Sequence, residues 1–519
     1  MREELIFEKL HRKLNDNIFP VICTYLFVVI FYGSWAFTDI VTFDAEGFYS
    51  LTNGIKWYQQ WISIGRWGFV FLKNILGVVE INPFFSISVF LIFFPISVLL
   101  WNYILEEWSG KSSKLASALF IGIYVTHPVW ALQFAYRNQI EVATLTMVIL
   151  PVGVYCFAKW IESKKLLYML WGYLIVTFCT GCYFPFFILF MQAALLYFFF
   201  YLEKAISNDM PVLDYWKDVI RAFIFSIIVL VSWILLSKII VLAVGMDIYV
   251  GFYEMKFYWG TRAFLDNVRT IWDVLLSRMI GNKIYTAIYG IVSLFFVVWN
   301  VLLIIHERNY RFTRFLLMLL IEICPVIMHI VSGGEVVDRS SFAFVLCVAS
   351  LAWFDLIHIR DVLAKIKKMH IYSMISLIIA VLLLLPQMQK STRLLWTDVR
   401  IMERDILRMN QIYYKAIDLG ARDGDAICFW GTYWGPNDEA NLKHEVIGLS
   451  YFELTITEEM QEWKLNDAFQ AYGFPFIAAS KEQKEMVRKK YLADMPCWPE
   501  DGSVKVLDNL VIVKLGESE

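Results

Sequence analysis

Long apolar stretches separated by short charged connectors run through most of this chain. They occur near residues 19–38, 84–105, 113–131, 141–160, 166–180, 184–202, 219–244, 284–305, 312–331, 341–358 and 371–386. Stretches of this kind suit helices that cross about 30 Å of hydrocarbon. The sequence therefore predicts a polytopic α-helical membrane protein with about eleven transmembrane helices.

Composition agrees with this prediction. Of the 519 residues, 59% are hydrophobic and only 18% are charged, whereas an average soluble domain carries about 25% charged residues. The formal net charge of -2 argues against nucleic acid as a partner, because phosphate binding needs a basic excess. The first apolar stretch has no small-residue cleavage site after it, which predicts a retained first helix.

Lys and Arg concentrate in alternate connectors, and this asymmetry predicts the orientation. The basic connectors belong on the cytoplasmic side together with the N-terminus. About eleven crossings then put the C-terminal residues outside the cytoplasm. Two long loops, 39–83 and 245–283, would also face outward and are rich in Trp, Tyr and Phe. Function is expected on this outer face.

After Pro386 the sequence changes from apolar spans to a mixed pattern. Short apolar runs at 425–431 and 474–480 predict buried strands, 481–495 predicts a polar helix, and the last two apolar runs predict a closing hairpin. The chain is thus expected to divide into a transmembrane domain, 1–386, and a small extracytoplasmic α/β domain, 387–519.

Eight cysteines are present, six of them in or beside the apolar stretches. Buried free thiols are expected there. Cys428 and Cys497 share the predicted outer domain, where they could form a disulfide or remain free.

The first predicted outer loop carries acidic residues immediately after the first helix. Asp44 and Glu46 are two positions apart, so their side chains can converge. A carboxylate at the mouth of an apolar cavity could act as general base towards a sugar hydroxyl, hold an acceptor by hydrogen bonds, or bind a divalent metal. It could also be an ordinary solvated side chain. Two carboxylates without a third clear ligand do not define a metal site.

This loop resembles that of the bacterial Gtr-type glucosyltransferases, which belong to the GT-C glycosyltransferase superfamily. The matching residues are Asp44, Glu46, Gly47, Trp61, Gly65, Arg66 and Trp67. The general layout is similar over roughly residues 1–386, whereas 387–519 departs from the shorter Gtr enzymes. The resemblance implies an enzyme of the bacterial cytoplasmic membrane. It would transfer a sugar, with glucose favoured, from a polyprenyl-phosphate donor to a cell-surface polysaccharide or glycolipid.

The resemblance also implies roles for particular residues. Asp44 would be the catalytic base, with Glu46 as its nearest rival. The lipid phosphate leaves with negative charge, which arginine is suited to bind. The candidates for that role on the predicted outer face are Arg339, Arg137, Arg262, Arg66, His127 and Lys256.

Several of these candidates have an alternative interpretation. Arg137 could form an ion pair with Glu141, and Arg339 could pair with Glu335 or Asp338. Arg66 could extend to lipid headgroups, and His127 could simply bind a neighbouring carbonyl group.

Other classes of membrane protein compete with the glycosyltransferase hypothesis. A flippase or transporter for lipid-linked glycans would often show internal repeats, which the sequence lacks. A polysaccharide polymerase shares the many spans and large outer loops, and a scaffold would only present the C-terminal domain. A flippase or a scaffold should tolerate Asp44→Asn far better than a transferase.

Overall fold

The computed structural model is predominantly helical, with a small sheet near the C-terminus. It describes residues 18–38, 40–42, 44–49, 54–77, 82–249, 257–282, 284–306, 309–435, 442–453 and 462–517. The helices of the first half are α1 (Phe19–Ala36), α2 (Glu46–Tyr49), α3 (Gly54–Ser63), α4 (Trp67–Ile75), α5 (Pro83–Ser109), α6 (Lys114–Thr126), α7 (Pro128–Phe134), α8 (Ile140–Ser163), α9 (Leu166–Cys182) and α10 (Pro185–Ser207). Those of the second half are α11 (Val212–Ala243), α12 (Phe264–Ile280), α13 (Ile288–His306), α14 (Arg311–Ile323), α15 (Ile327–Ser332), α16 (Phe342–Lys365), α17 (Tyr372–Asp418), α18 (Glu462–Ala471) and α19 (Lys481–Lys490).

Many of these helices have the length and apolarity of membrane spans. Within the described ranges, nine qualify, or ten if the bent pair α6–α7 is one span, and α9 is a shorter apolar helix. Each of the predicted apolar stretches coincides with one of these helices or helix pairs. The long apolar helices indicate a membrane protein, and the exact number of crossings, predicted as about eleven, stays a prediction.

Two interruptions of helical structure occur in the helical region, at His127 and at Tyr183. At His127 the chain bends by 41° between α6 and α7, because Pro128 starts a new helix. Tyr183 adopts an extended conformation between α9 and α10, and Pro185 begins the next helix. Irregular backbone at such points places side chains where a continuous helix would not.

The main core lies among the helices. The helix pairs α8–α9, α5–α8 and α6–α16 pack closely, and large aromatic side chains such as Trp101, Trp130 and Trp353 are fully buried. By contrast, α11 leaves apolar side chains such as Phe223 and Leu235 exposed. An exposed apolar face on a long helix is what contact with lipid requires.

The C-terminal sheet has four strands, β1 (Ala426–Trp430), β2 (Ile477–Ala478), β3 (Val504–Leu507) and β4 (Leu510–Lys514), in the order β2-β1-β4-β3. β1 is parallel to both neighbours, and β3 and β4 form an antiparallel hairpin. The predicted strands and closing hairpin are confirmed, although the second strand is only two residues long. Cys428 and Cys497 are both free thiols.

The helical region and the sheet are joined by one long helix. α17 continues through Pro386 for 47 residues. Leu394 and Leu395 on this helix belong to the core of the helical region, whereas Met402 and Met409 belong to the core beneath the sheet. The helix therefore connects the core of the helical region to the core beneath the sheet, and the candidate site lies near this junction.

Candidate active site

Two acidic side chains, here called the acidic pair, follow α1. Asp44 has a positive φ of 65°, a conformation that Asp and Asn tolerate better than most residues. Its side chain is 45% exposed, whereas Glu46, in the first turn of α2, is fully buried. The two carboxylates therefore occupy different environments although they are only two residues apart.

The C-terminal domain reaches both carboxylates. Lys464 Nζ in α18 lies 2.7 Å from Asp44 Oδ1 and 3.4 Å from Glu46 Oε1. The Tyr451 hydroxyl donates a hydrogen bond of 3.2 Å to Glu46 Oε2. Residues more than 400 positions apart in the chain thus share one site.

The environment changes the proton affinity of this pair. Burial raises the pKa of Glu46 to about 7, although the Lys464 ammonium acts in the opposite direction. Burial disfavours the charged form of Lys464, but the two carboxylates outweigh it and raise the pKa of that side chain. Glu46 can therefore change its charge near neutral pH, and Lys464 favours the ionised form.

The short turn before α8 connects several parts of the site. Asn138 Nδ2 donates a 2.9 Å hydrogen bond to the backbone carbonyl of Asp44. Arg137 Nη2 binds the carbonyl of Trp35 at 3.0 Å, and the Tyr136 hydroxyl contacts the guanidinium of Arg339. One turn therefore holds the backbone of Asp44 and also contacts Arg339.

A second group, here called the 338–339 cluster, consists of Arg278, Asp338, Arg339, His444 and Glu445. Arg339 Nη1 pairs with Glu445 Oε2 at 3.0 Å, and its guanidinium stacks over the Tyr136 ring at 4.2 Å. Arg278 Nη2 lies 2.8 Å from Asp338 Oδ1, and His444 Nε2 lies 2.8 Å from Asp338 Oδ2. His444 and Glu445 come from the C-terminal domain, so that domain contacts both groups of charged residues.

Charges in this cluster reinforce each other. Burial alone would favour neutral Asp338, but His444 and Arg278 outweigh it and lower the pKa of the carboxyl group. Burial likewise opposes charge on Arg339, and Tyr136, Tyr183 and Glu445 outweigh it, so that the pKa of the guanidinium is raised. Arg339 is thus held as a cation.

Three side chains of the cluster also have the chemistry of metal ligands. The ligand atoms of Asp338, His444 and Glu445 lie within 4.8 Å of one another. However, Arg278 binds an oxygen of Asp338 and Arg339 binds an oxygen of Glu445. Two guanidiniums already balance the two carboxylates, and a divalent cation would have to displace them. We therefore assign no metal to this cluster.

The remaining predicted site residues lie in different places. The Arg66 guanidinium stacks over Tyr183 at 4.5 Å. The Arg262 guanidinium stacks over Tyr258 at 3.9 Å. His127 Nδ1 accepts a 3.3 Å hydrogen bond from a backbone N–H at the start of α7. Lys256 lies outside the described residues.

Two of the alternative ion pairs considered from the sequence are wrong. Glu141 pairs with Lys73 from α4 and not with Arg137. Arg339 pairs with Glu445, whereas Asp338 pairs with Arg278. In both cases a residue distant in the sequence, Lys73 for Glu141 and Glu445 for Arg339, takes the place of the neighbour that sequence proximity had suggested.

Sequence reasoning missed several members of the site. They are Arg278, His444, Glu445, Tyr451 and Lys464. His444, Glu445, Tyr451 and Lys464, here called the tail residues, lie in segments without a motif. They reach the acidic pair and residues 338–339 only because the C-terminal part of the chain packs against the helical region. Arg278 had a weak signal, since it is a basic residue in the last turn of α12, next to apolar neighbours.

Comparison with known proteins gives one family. A family model described as glucosyl transferase GtrII matches residues 49–356, which is more than half of the chain. No curated protein and no solved structure matches the chain.

Proposed function

The chain belongs to the glucosyl transferase GtrII family, and on that premise we propose the reaction in more detail. The protein moves a sugar, glucose by preference, from a polyprenyl-phosphate donor such as undecaprenyl phosphate glucose. The acceptor is a hydroxyl of a cell-surface glycan or glycolipid. The reaction takes place on the outer face of the bacterial cytoplasmic membrane, with the N-terminus inside and the C-terminal domain outside.

One observation carries this proposal: a single short turn, residues 136–138, contacts both a half-exposed carboxylate residue and a half-buried guanidinium. Asn138 Nδ2 donates a 2.9 Å hydrogen bond to the backbone carbonyl of Asp44, and the hydroxyl of Tyr136, two residues before Asn138, contacts the guanidinium of Arg339. A base and a phosphate-binding cation are the two groups that this transfer requires.

We propose that the Asp44 carboxylate accepts the proton of the acceptor hydroxyl. The hydroxyl oxygen then forms a bond to the anomeric carbon, on the face opposite the phosphate. The bond between that carbon and the phosphate oxygen breaks, and the polyprenyl phosphate leaves with the electron pair. Arg339 stabilises the negative charge of the leaving phosphate. Lys464, which pairs with both Asp44 and Glu46, holds the side chain of Asp44 in position.

Access to an incoming acceptor supports Asp44 over Glu46 as the base. A general base must lie within about 3 Å of the proton that it removes. The backbone of Asp44 is held by Asn138, and its side chain is partly exposed to an incoming acceptor. Glu46 is fully buried and hydrogen-bonded to Tyr451.

The test is transfer by the purified protein with polyprenyl-phosphate glucose, galactose and N-acetylglucosamine as donors. Asp44→Asn keeps the shape and the permitted backbone but removes the basic oxygen. It should abolish transfer and leave donor binding intact. Asp508→Asn is the matched control, since Asp508 also has a positive φ and lies exposed in the β3–β4 turn. If Asp44→Asn transfers normally, Asp44 is not the base. If the unaltered protein transfers none of these sugars, it is better explained as a flippase, a polymerase or a scaffold.

A further inference from the structure

The helix α12 exposes apolar side chains although its composition does not suit a membrane span. It has 17 residues, four of them charged, whereas a span needs about 20 mainly apolar residues. At about 3.6 residues per turn, five exposed apolar side chains fall within roughly one third of the circumference of the helix. This group, here called the apolar side of α12, consists of Phe264, Leu265, Val268, Trp272 and Leu276.

The remaining circumference of α12 is divided between solvent and protein. Asp266, Arg269 and Asp273 follow the apolar side around the helix and are exposed. Asn267 and Arg278 share a third side and are buried. An apolar, a polar and a protein-facing side are what a helix requires when it lies along a membrane surface beside the rest of its own protein.

Buried polar contacts fix which way α12 faces. Asn267 Nδ2 donates a 3.2 Å hydrogen bond to the carbonyl of Tyr258, and the Tyr258 N–H donates one of 2.7 Å to the carbonyl of Ser332. In the last turn of α12, Arg278 Nη2 lies 2.8 Å from Asp338 Oδ1. Because both contacts come from the same side of the helix and reach the segment before α16, the apolar side is left exposed.

The end of α12 adjoins a helix that has the length and apolarity of a membrane span. A Cβ atom on Gly290 of α13 would lie 2.3 Å from the carbonyl oxygen of Met279, so the two helices touch there. Beside this contact α12 exposes Ile280, and α13 exposes Ile291 and Leu294. Since exposed apolar residues of a span face lipid, α12 continues a surface that is suited to acyl chains.

We propose that α12 lies along the membrane surface, with its apolar side against the acyl chains of the bilayer and its polar side in water. Trp272 suits this position, because tryptophan favours the boundary between acyl chains and headgroups. The exposed charges of the polar side are one arginine and two aspartates, so contact with lipid does not require anionic headgroups. Through Arg278, α12 would also hold the 338–339 cluster beside the membrane surface. Contact with lipid goes beyond the proposed function and does not depend on it.

The experiment measures the depth of single labelled positions in the full-length protein, reconstituted in phosphatidylcholine vesicles. Val268→Cys and Trp272→Cys each place a nitrobenzoxadiazole fluorophore on the apolar side. Arg269→Cys and Asp273→Cys, each one residue further along, are the matched controls on the polar side. Three partly exposed native cysteines are first replaced by serine, and they are Cys23, Cys156 and Cys497. Thermal unfolding of the detergent-purified proteins identifies a variant that has lost its structure, and two positions on each side guard against the loss of one.

The fluorescence of each variant is quenched in two ways, by phosphatidylcholine that carries a nitroxide on its acyl chain and by iodide in the water. We expect the nitroxide to quench positions 268 and 272 severalfold more than positions 269 and 273, and iodide to quench them in the opposite order. This result would support contact between the apolar side and lipid.

Two other results would overturn the proposal. Equal quenching of all four positions by iodide would place the apolar side in water. Protection of positions 268 and 272 from both quenchers would mean that protein, from this chain or from a second copy, covers the helix. None of these measurements requires sugar transfer, so the outcome for α12 and the outcome for the proposed function are separate.

Discussion

The acidic pair and the 338–339 cluster differ in solvent exposure and in the number of groups that contact the proposed reacting side chain. Asp44 is 45% exposed and its charge is met by one lysine, whereas Arg339 is 21% exposed and lies among a tyrosine, a carboxylate and its own loop. Both nevertheless take a charged partner from the C-terminal domain. Under the proposed function, the acidic pair is the acceptor end, where the carboxylate is open to solvent, and the 338–339 cluster is the donor end, where the guanidinium has more contacts.

The many contacts of Arg339, at the proposed donor end, have a physical reason. A phosphate-binding charge contributes most when it is already in position, because moving it during the reaction would cost free energy. A base that meets different acceptor molecules must instead remain accessible. The two ends can therefore be tested separately. At each end, one variant replaces a proposed reacting group and another replaces the C-terminal residue that pairs with it.

Arg339→Ala should have the largest effect at the donor end. Losing a preorganised charge contact typically costs about a hundredfold in turnover or more. Arg339→Lys should restore only part of it, since a point charge cannot reproduce paired hydrogen bonds. The measurement is kcat with polyprenyl-phosphate glucose. Arg400→Ala, at an exposed ion pair on α17, is the matched control and should be nearly neutral. Near-normal turnover of Arg339→Ala would move the phosphate site to Arg137 or Arg262.

Glu46→Gln should have an intermediate effect at the acceptor end. The amide oxygen can still accept the Tyr451 hydrogen bond, but the charge facing Lys464 is lost. We expect a loss of about tenfold in kcat/KM, against a hundredfold or more for Asp44→Asn. Both variants are assayed with the same donor and acceptor. An inactive Glu46→Gln beside an active Asp44→Asn would exchange their roles.

Lys464→Met should change the pH dependence more than the maximal rate. The ammonium favours ionised Glu46, whose pKa burial raises to about 7. Without the Lys464 ammonium, the pKa of Glu46 rises further. As the pH is lowered, the variant should therefore lose activity at a higher pH than the unaltered protein does. The variant is expected to be slow at pH 7 and to recover at about pH 9.

The control for this shift is Lys489→Met, at an exposed lysine of α19, which should keep the original profile. A second control combines Lys464→Met with Glu46→Gln. If Glu46 is the titrating group, the combined variant should lose the shift. An unchanged profile in Lys464→Met would mean that the tail does not tune the acidic pair.

Sequence alone predicts the helices better than the site. Each apolar stretch becomes a helix because a backbone in an apolar environment must satisfy its own hydrogen bonds. The strands of the tail follow equally from local pattern. By contrast, α17 passes through Pro386 without a break, so the change in composition there does not mark the end of a helix.

The residues of the candidate site also fall into those that local sequence predicts and those that it does not. Asp44 and Glu46 stand in a recognisable local motif, and Arg339 stands out as a charge at a helix mouth. Lys464 and Glu445 could not be predicted, because their relation to these residues exists only after the tail has docked. Local sequence therefore predicted the proposed reacting groups, whereas the residues that contact them depend on tertiary packing.

Glu445→Gln should have the smallest effect on activity. It tests how much the proposed donor end depends on the tail residue that pairs with Arg339. Glu445 accepts hydrogen bonds from the backbone N–H and the side chain of Arg339, both at 3.0 Å. Glutamine keeps one acceptor oxygen and loses the charge, while Tyr136 still contacts the guanidinium. For a partly exposed pair we expect a cost of about 1 kcal/mol, or about a fivefold rise in the KM for the donor, with kcat little changed. Added salt should reduce the difference between the two proteins, since it screens a partly exposed charge. If Glu445→Gln were as damaging as Arg339→Ala, Glu445 would have to contact the donor or acceptor itself, and the tail would contribute a reacting group as well as a partner for the arginine.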